Sequence, residues 1–426
     1  MMTGYEDSHY ARTVDTTVRY PALDGDVQAE VCVIGGGMAG LATALDLAER
    51  GRSVVLLERK RVAWGASGRN GGFVVPGYPT RVEDLVAQVG LPDARELYGL
   101  TLQALLLIRR RIAEYGIDVG EMVDGRLISA MDEDDGAMAR YAEDMARDFG
   151  RDLIVWSRQK VRETLATTRY SDGILDMAAL SLNPLKFTRG TAAAAARLGA
   201  RLHEESPATG LSRQGSRQVV RTPRGRVLCD QVVLAGGGYL GLLDWKVSMA
   251  TIPVPTYTMV TEKLGENLAR VIATKHSLAD RSFATNYYRP LEDGRLLWGG
   301  RVAAFKPSHA WLTESLRRDM AWFYPDLEKV KVEVAWGGMM PYLRHRMPMI
   351  GAIGPGRWVA TGFGGLGMGI TTMAGNLLAS AITEGDTRWQ MFRRFGLPFA
   401  GGALGRAPAQ MIYWKHKWAA AMARPR

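Results

Sequence analysis

The chain has 426 residues, 47% of them hydrophobic, and a formal net charge of +10. That is enough for a large core and two or three domains, and no run of about eighteen apolar residues is free of charge, which excludes a conventional membrane-spanning helix. Five of the ten excess charges, Arg406, Lys415, Lys417, Arg424 and Arg426, sit in the last 26 residues without an acid among them. The rest are scattered, as in Arg109-Arg110-Arg111, and read as solvated helix faces rather than a nucleic-acid surface.

In chain order, the first strong signal is the apolar run Val31-Cys32-Val33-Ile34, followed at once by Gly35-Gly36-Gly37-Met38-Ala39-Gly40. This is G-x-G-x-x-G in its full setting. Leu41, Ala44, Leu45 and Ala48 share a helix face, Gly51 ends that helix, and a second apolar run, Val54 to Leu57, leads into Glu58 and Arg59. The three glycines serve the turn, the approach of a pyrophosphate and the close packing of helix on strand, while the carboxylate eighteen residues beyond Gly40 can accept from a ribose hydroxyl. The unit predicts dinucleotide binding at a helix N-terminus.

Next comes the glycine-rich loop Trp64-Gly65-Ala66-Ser67-Gly68-Arg69-Asn70-Gly71-Gly72, suited to close approach of a flat ring or a phosphate. Residues 81–115 and 133–165 read as amphipathic helices, with a strand-like piece at Gly125-Arg126-Leu127-Ile128 between them. Asn183-Pro184 predicts an N-cap and first helical residue, opening an alanine-rich helix that Gly199 ends. A parallel-strand-like run, Gln231 to Leu234, ends in Ala235-Gly236-Gly237-Gly238. From 246 to 330, turn signals separate aromatic segments such as Asn286-Tyr287-Tyr288-Arg289 and Leu296-Leu297-Trp298-Gly299-Gly300, predicting an antiparallel sheet. A last strand, Trp358 to Thr361, enters Gly362-Phe363-Gly364-Gly365-Leu366-Gly367-Met368-Gly369 and a helix over 370–383. The two cysteines, Cys32 and Cys229, lie in apolar strand runs and read as buried small hydrophobes. The six histidines are isolated, so no metal site is expected. The first residues carry no secretory pattern, and a cytoplasmic location is expected.

Three glycine clusters interrupted by an antiparallel sheet resemble the D-amino acid oxidase-like family of flavoproteins, and within it the gamma-glutamylputrescine oxidase group. The likeness rests on the N-terminal fingerprint, Trp64 to Gly72, Tyr287-Tyr288-Arg289 ahead of Arg295 to Gly300, Arg346-Met347-Pro348, and Gly362 to Gly369 with its helix. It implies an α/β fold: a Rossmann-like FAD domain assembled from residues 1–85, 175–245 and 331–426, and a substrate domain, residues 86–174 and 246–330, with a mostly antiparallel sheet and helices.

It also implies that Gly35, Gly37, Met38, Ala39 and Gly40 hold the FAD pyrophosphate and Glu58 and Arg59 the adenosine ribose. Ser67, Asn70, Gly71 and Gly72 would follow the diphosphate toward the flavin, Ala208 would meet adenine, Ala235, Gly236 and Gly237 would close over that half, and Gly364, Gly365, Leu366, Gly367 and Met368 would face the pyrimidine end. The implied chemistry is oxidation of an amine by hydride transfer to flavin N5, imine hydrolysis, and reoxidation by oxygen or another acceptor, the alternatives being an amino-acid or imino-acid oxidase or dehydrogenase, or a flavoprotein subunit of a biosynthetic or multi-subunit dehydrogenase. Asn70, Tyr288, Trp298 and Arg346 are the candidate substrate-facing residues. Non-covalent FAD is expected, because the glycine clusters lack a cysteine or histidine. The basic C-terminus is an expected contact for a partner or membrane surface.

Two positions depart from the family. Leu366 stands where putrescine-type relatives carry histidine, and Met340 stands where amino-acid oxidases place an arginine that clamps the substrate carboxylate.

Overall fold

In the computed structural model, residues 4–131, 136–282, 285–302 and 308–422 are described. Two sheets organise them. In the first, Val27–Ile34 lies at the centre, flanked in parallel by Val54–Leu57 and Gly225–Leu234. Arg201–His203 extends the sheet on one side, and Arg357–Thr361 with its antiparallel neighbour Met349–Gly354 extends it on the other. The central strands are apolar throughout because both faces are covered. Val31 and Val33 pack under the helices Met38–Glu49, Pro184–Arg197 and Gly367–Glu384, while Cys32 and Ile34 join a second cluster on the opposite face with Val220, Leu240 and Val359.

The second sheet runs in the order Val332–Tyr342, Ile252–Thr261, Leu296–Val302, Tyr287–Pro290, Ser277–Asp280, Val123–Ser129, Gly173–Ser181 and Phe73–Val74. All its pairings are antiparallel except that of Ser277–Asp280 with Val123–Ser129. One face carries an aromatic core of Tyr170, Tyr288, Trp298, Phe323 and Tyr324, capped by the helix His309–Phe323. The other faces the first sheet and its glycine turns.

Several boundaries differ from the sequence reading. Val332–Tyr342 and Gly173–Ser181, expected mainly within the dinucleotide segments, belong to the second sheet. The helix Leu91–Tyr115, expected with the substrate domain, buries Leu97, Leu100 and Ala104 in the core beneath Val31 and Val33. Both differences have one cause: which sheet or core a segment joins is set by contacts distant in sequence, and composition does not record them. The reading of 81–115 as one helical stretch is divided at Gly90, where φ is +82°. That of 133–165 is interrupted by the strand Ile154–Trp156, and residues 133–135 lie outside the described set. The helix expected over 370–383 begins at Gly367, three residues earlier.

The C-terminal helix Arg406–Met422 turns Met411, Trp414, Trp418 and Met422 to solvent, so this end presents aromatic side chains as well as positive charge. No helix among the described residues is long and apolar enough to cross a membrane.

The N-terminal arm is fixed by a buried ion pair. Arg61 Nε donates to Glu204 Oε2 at 2.8 Å, each side chain being 2% exposed, and the guanidinium also donates to the carbonyls of Thr16 and Val18. Glu204 in turn accepts from the backbone N–H groups of Tyr20 and Val62. Replacing Glu204 with leucine would strand the guanidinium and those two N–H groups, at a cost of about 3–5 kcal/mol. The urea-unfolding free energy should fall accordingly, and a loss below about 1 kcal/mol would mean that water takes the place of the carboxylate.

Candidate active site

Between the two sheets lies a cavity of about 560 Å³. Its walls are built first by the turn leaving Val27–Ile34. Gly35 has φ +114°, and a Cβ there would lie 2.7 Å from the carbonyl oxygen of Ala235. At Gly40 a Cβ would sit 1.9 Å from the carbonyl oxygen of Gly35, so the helix can rest on its own strand only without a side chain. Gly35, Gly37, Met38 and Ala39 line the cavity, whereas Gly40 lies behind it. Ser67 Oγ accepts from the Met38 N–H at 2.9 Å and thereby binds the glycine-rich loop to the helix start.

Glu58 lines the same end with Arg59, Ala208, Ala235, Gly236 and Gly237. Its Oε2 accepts from the Gly36 N–H at 2.7 Å and its Oε1 from the Lys60 N–H at 2.8 Å. Burial holds its pKa above the usual carboxylate range, and the two N–H donors oppose that rise. Farther along, Asn70 and Gly71 line the cavity, with Asn70 Oδ1 accepting from the Gly72 N–H. Gly72 does not line it: its φ is +80° and a Cβ would lie 2.0 Å from the Leu182 carbonyl oxygen. The far wall is formed by Gly364, Gly365, Leu366, Gly367 and Met368 at the start of the helix Gly367–Glu384, together with Met340, Tyr342 and Arg346. A second helix N-terminus thus meets the same cavity.

Of the candidate substrate-facing residues, Asn70 and Arg346 reach the cavity and Tyr288 and Trp298 do not. These last two are stacked on each other, ring centroids 4.4 Å apart, in the aromatic core on the opposite face. Tyr288 is 1% exposed and its hydroxyl is bonded to those of Tyr170 and Tyr324. The strand period decides this. Tyr287, one residue earlier, faces the cavity, and its cross-strand partner Gly299 leaves room for its ring, since a Cβ there would lie 2.3 Å from it. The alternation Tyr287-Tyr288 against Gly299-Trp298 was the signal available in the sequence.

Sequence reasoning also missed Phe73, Thr256, Arg126 and Tyr287 as wall residues. The Phe73 and Tyr287 rings meet edge to face at 5.5 Å, and Thr258 Oγ1 lies 3.2 Å from the Tyr287 hydroxyl. The Arg126 guanidinium lies 5.9 Å from the Phe73 ring centre. Desolvation pushes its pKa down to about 10, against the opposing effect of Asp176 and Asp280.

The model of the DAO family, described as FAD dependent oxidoreductase, matches residues 30–381. The chain belongs to this family. It is 31% identical to gamma-glutamylputrescine oxidoreductase of Escherichia coli strain K12, over 96% of each chain. It is 30% identical to a probable oxidoreductase, OrdL, of Haemophilus influenzae, over 93% of this chain and 92% of that one. Among solved structures, glycine oxidase from Geobacillus kaustophilus superposes with a TM-score of 0.73 over 87% of this chain and 99% of that chain, at 21% identity, which speaks for the fold.

The cavity fits the family's cofactor. It joins two helix N-termini, which favour a diphosphate at one end and the electron-rich edge of a reduced ring at the other. Its glycines leave the backbone open to a flat ligand. Neither cysteine nor histidine is found among the described lining residues, and Cys32 and Cys229 are wholly buried in the first sheet. Acid precipitation of the yellow protein is therefore expected to release the flavin into the supernatant, and colour retained in the pellet would contradict this. Gly40→Val should yield protein without flavin, read from its visible absorbance, whereas Glu58→Ala should only weaken retention, by about 1.5–3 kcal/mol for a charged hydrogen bond.

Proposed function

We propose that the chain oxidises a C–N bond of an amine whose carboxylate lies far from the reacting carbon, gamma-glutamylputrescine being the example. Met340 carries this reading. It lines the cavity beside the start of the helix Gly367–Glu384, its sulfur 3.7 Å from where a Cβ of Gly365 would stand. A thioether there offers no counter-charge to a carboxylate on the reacting carbon, and leaving such a group unpaired costs several kcal/mol. The similarity to the Escherichia coli enzyme supports the same class.

In this reading Gly35, Gly37, Met38, Ala39, Glu58, Arg59, Ser67, Asn70, Gly71, Ala208, Ala235 to Gly237 and Gly364 to Met368 would hold the FAD, with Gly40 and Gly72 permitting the close backbone packing. When bound, the flavin supplies the hydride acceptor and passes the electrons on to oxygen or another acceptor. The protein orients the amine and keeps it neutral. Glu58, at the expected adenosine end, is the only acid among the described lining residues, while Arg126 and Arg346 both reach the wall. Arg346, with no carboxylate beside it among the described lining residues, depresses the pKa of a bound amine and so frees its lone pair for oxidation. Phe73, Tyr287 and Tyr342 supply an apolar enclosure that limits water.

A second reading rests on Arg346. From its place on the wall near Tyr342 it could pair with an α-carboxylate, which would make the chain an amino-acid or imino-acid oxidase. Anaerobic flavin bleaching separates the two. Gamma-glutamylputrescine should reduce the flavin faster than glycine, D-alanine, sarcosine or L-pipecolate. If any of these four outpaced every amine tested and Arg346→Ala removed that activity, the second reading would replace the first.

A further inference from the structure

We propose that Arg126 is the anchor for the substrate's remote carboxylate. This rests on the amine reading given above and adds to it the residue that recognises the acid.

Arg126 occupies the strand Val123–Ser129, and its cross-strand register places it on the same face of the second sheet as Tyr287. Arg126 lies opposite Ser277, Ile128 opposite Ala279, and Ala279 opposite Tyr287. That face borders the cavity, and both residues line it. The side chain lies against Phe73, whose ring also touches Tyr287 and the place where a Cβ of Gly71 would project, 2.5 Å away. Arg126 is thus one aromatic layer beyond the loop expected to follow the flavin, on a strand five places from that of Met340 in the sheet order.

The buried Nε of Arg126 has no hydrogen-bond partner among the described residues. Neither nearby acid forms an ion pair with Arg126, although Asp176 stands directly opposite it on Gly173–Ser181. Asp176 takes the guanidinium of Arg151 and the N–H of Ala178. Asp280 accepts from Ser282 and Asn286 through backbone and side chain alike, and both its oxygens are used. A partly buried guanidinium presents a planar fork of donors suited to a carboxylate, and an aromatic-lined wall strengthens such a pair. An ammonium at the same place would be repelled. The ligand end that fits is therefore an anion with two acceptors in a plane, carried several bonds from the oxidised carbon, as on an acylated diamine and not on the diamine itself.

The test compares wild type, Arg126→Met and Arg126→Lys by anaerobic flavin reduction. For gamma-glutamylputrescine, the concentration giving half the limiting reduction rate should rise about tenfold or more in Arg126→Met and recover in part in Arg126→Lys. For putrescine, which brings a second ammonium instead of a carboxylate, the requirement should fall in Arg126→Met. Changes of equal size and the same sign for both substrates would overturn the proposal, as would no change for either. Should neither amine bleach the wild-type flavin, the amine reading fails by itself. Arg126 is then judged by glutarate, titrated against the flavin absorbance: binding to wild type that is lost in Arg126→Met supports the anchor, and equal binding or none overturns it.

Discussion

The architecture depends on how closely backbone can approach backbone at two glycines. Gly40 lets the helix Met38–Glu49 rest on the turn from its own strand, and Gly375 lets the helix Gly367–Glu384 press onto that first helix, where a Cβ would fall 2.6 Å from Ala42. A side chain at either place would push the helices apart. The contact is reinforced where Asn376 donates to Asp46 at 3.1 Å and where the buried Arg111 guanidinium reaches the same carboxylate. Because the two helices are locked together, both N-termini open into one cavity. Each has unpaired N–H groups and the positive end of a dipole, so a dinucleotide cofactor can be held at both ends of its length by backbone alone.

The second sheet closes the cavity without sharing the first sheet's hydrogen bonds, so something else must fix their separation. Arg289 does part of this. From Tyr287–Pro290 its Nε donates to the Gly71 carbonyl at 3.1 Å and its terminal nitrogen to that of Leu182 at 3.0 Å. Arg69 acts from the opposite direction, donating to the carbonyl of Gly337 in Val332–Tyr342 and to the Tyr239 hydroxyl. Trp336 completes the joint by donating from its indole nitrogen to the Arg69 carbonyl at 2.8 Å. The glycine-rich loop is thereby held between the sheets by charged donors on both sides. Behind it, the stacked Tyr288 and Trp298 give the strands that bear Tyr287 a rigid backing.

What was legible in the sequence follows from the range of the interactions involved. The fingerprint from Val31 to Glu58 is local: strand, turn, helix and acid are specified within 28 residues by steric and dipolar needs met inside the same segment. The same holds for Asn183, whose side chain accepts from the N–H groups of Leu185 and Lys186 to start the alanine-rich helix. By contrast, this part of the cavity wall is assembled from pieces far apart in sequence, Phe73, Arg126, Thr256, Tyr287 and Met340. Arg126 in particular has no local mark, since Gly125-Arg126-Leu127-Ile128 reads as any edge of a strand. Its placement arises from register with Ser277 and from an Nε without a partner among the described residues, and both are tertiary facts. Tyr288 and Trp298 were misjudged for a related reason: aromatic content identified the strands, but choosing which of two adjacent residues faces the ligand requires knowing which sheet face is filled by the helix His309–Phe323.

The distribution of charge along the cavity bears on rate as well as on affinity. Removing hydride from the carbon next to an amine leaves positive charge on nitrogen, so the transition state is more cationic than the neutral amine that enters. Guanidiniums on the chamber wall oppose that change. At an effective dielectric near 20, unit charges roughly 8 Å apart still interact by about 2 kcal/mol. A substrate without an acid would meet this opposition in full. One whose carboxylate neutralises Arg126 removes much of it, and does so most in the transition state, where the nitrogen is most positive. An interaction that grows along the reaction path raises turnover and not merely occupancy. The chamber would then discriminate for the carboxylate twice, once in holding the substrate and again in oxidising it, with the same pair of charges.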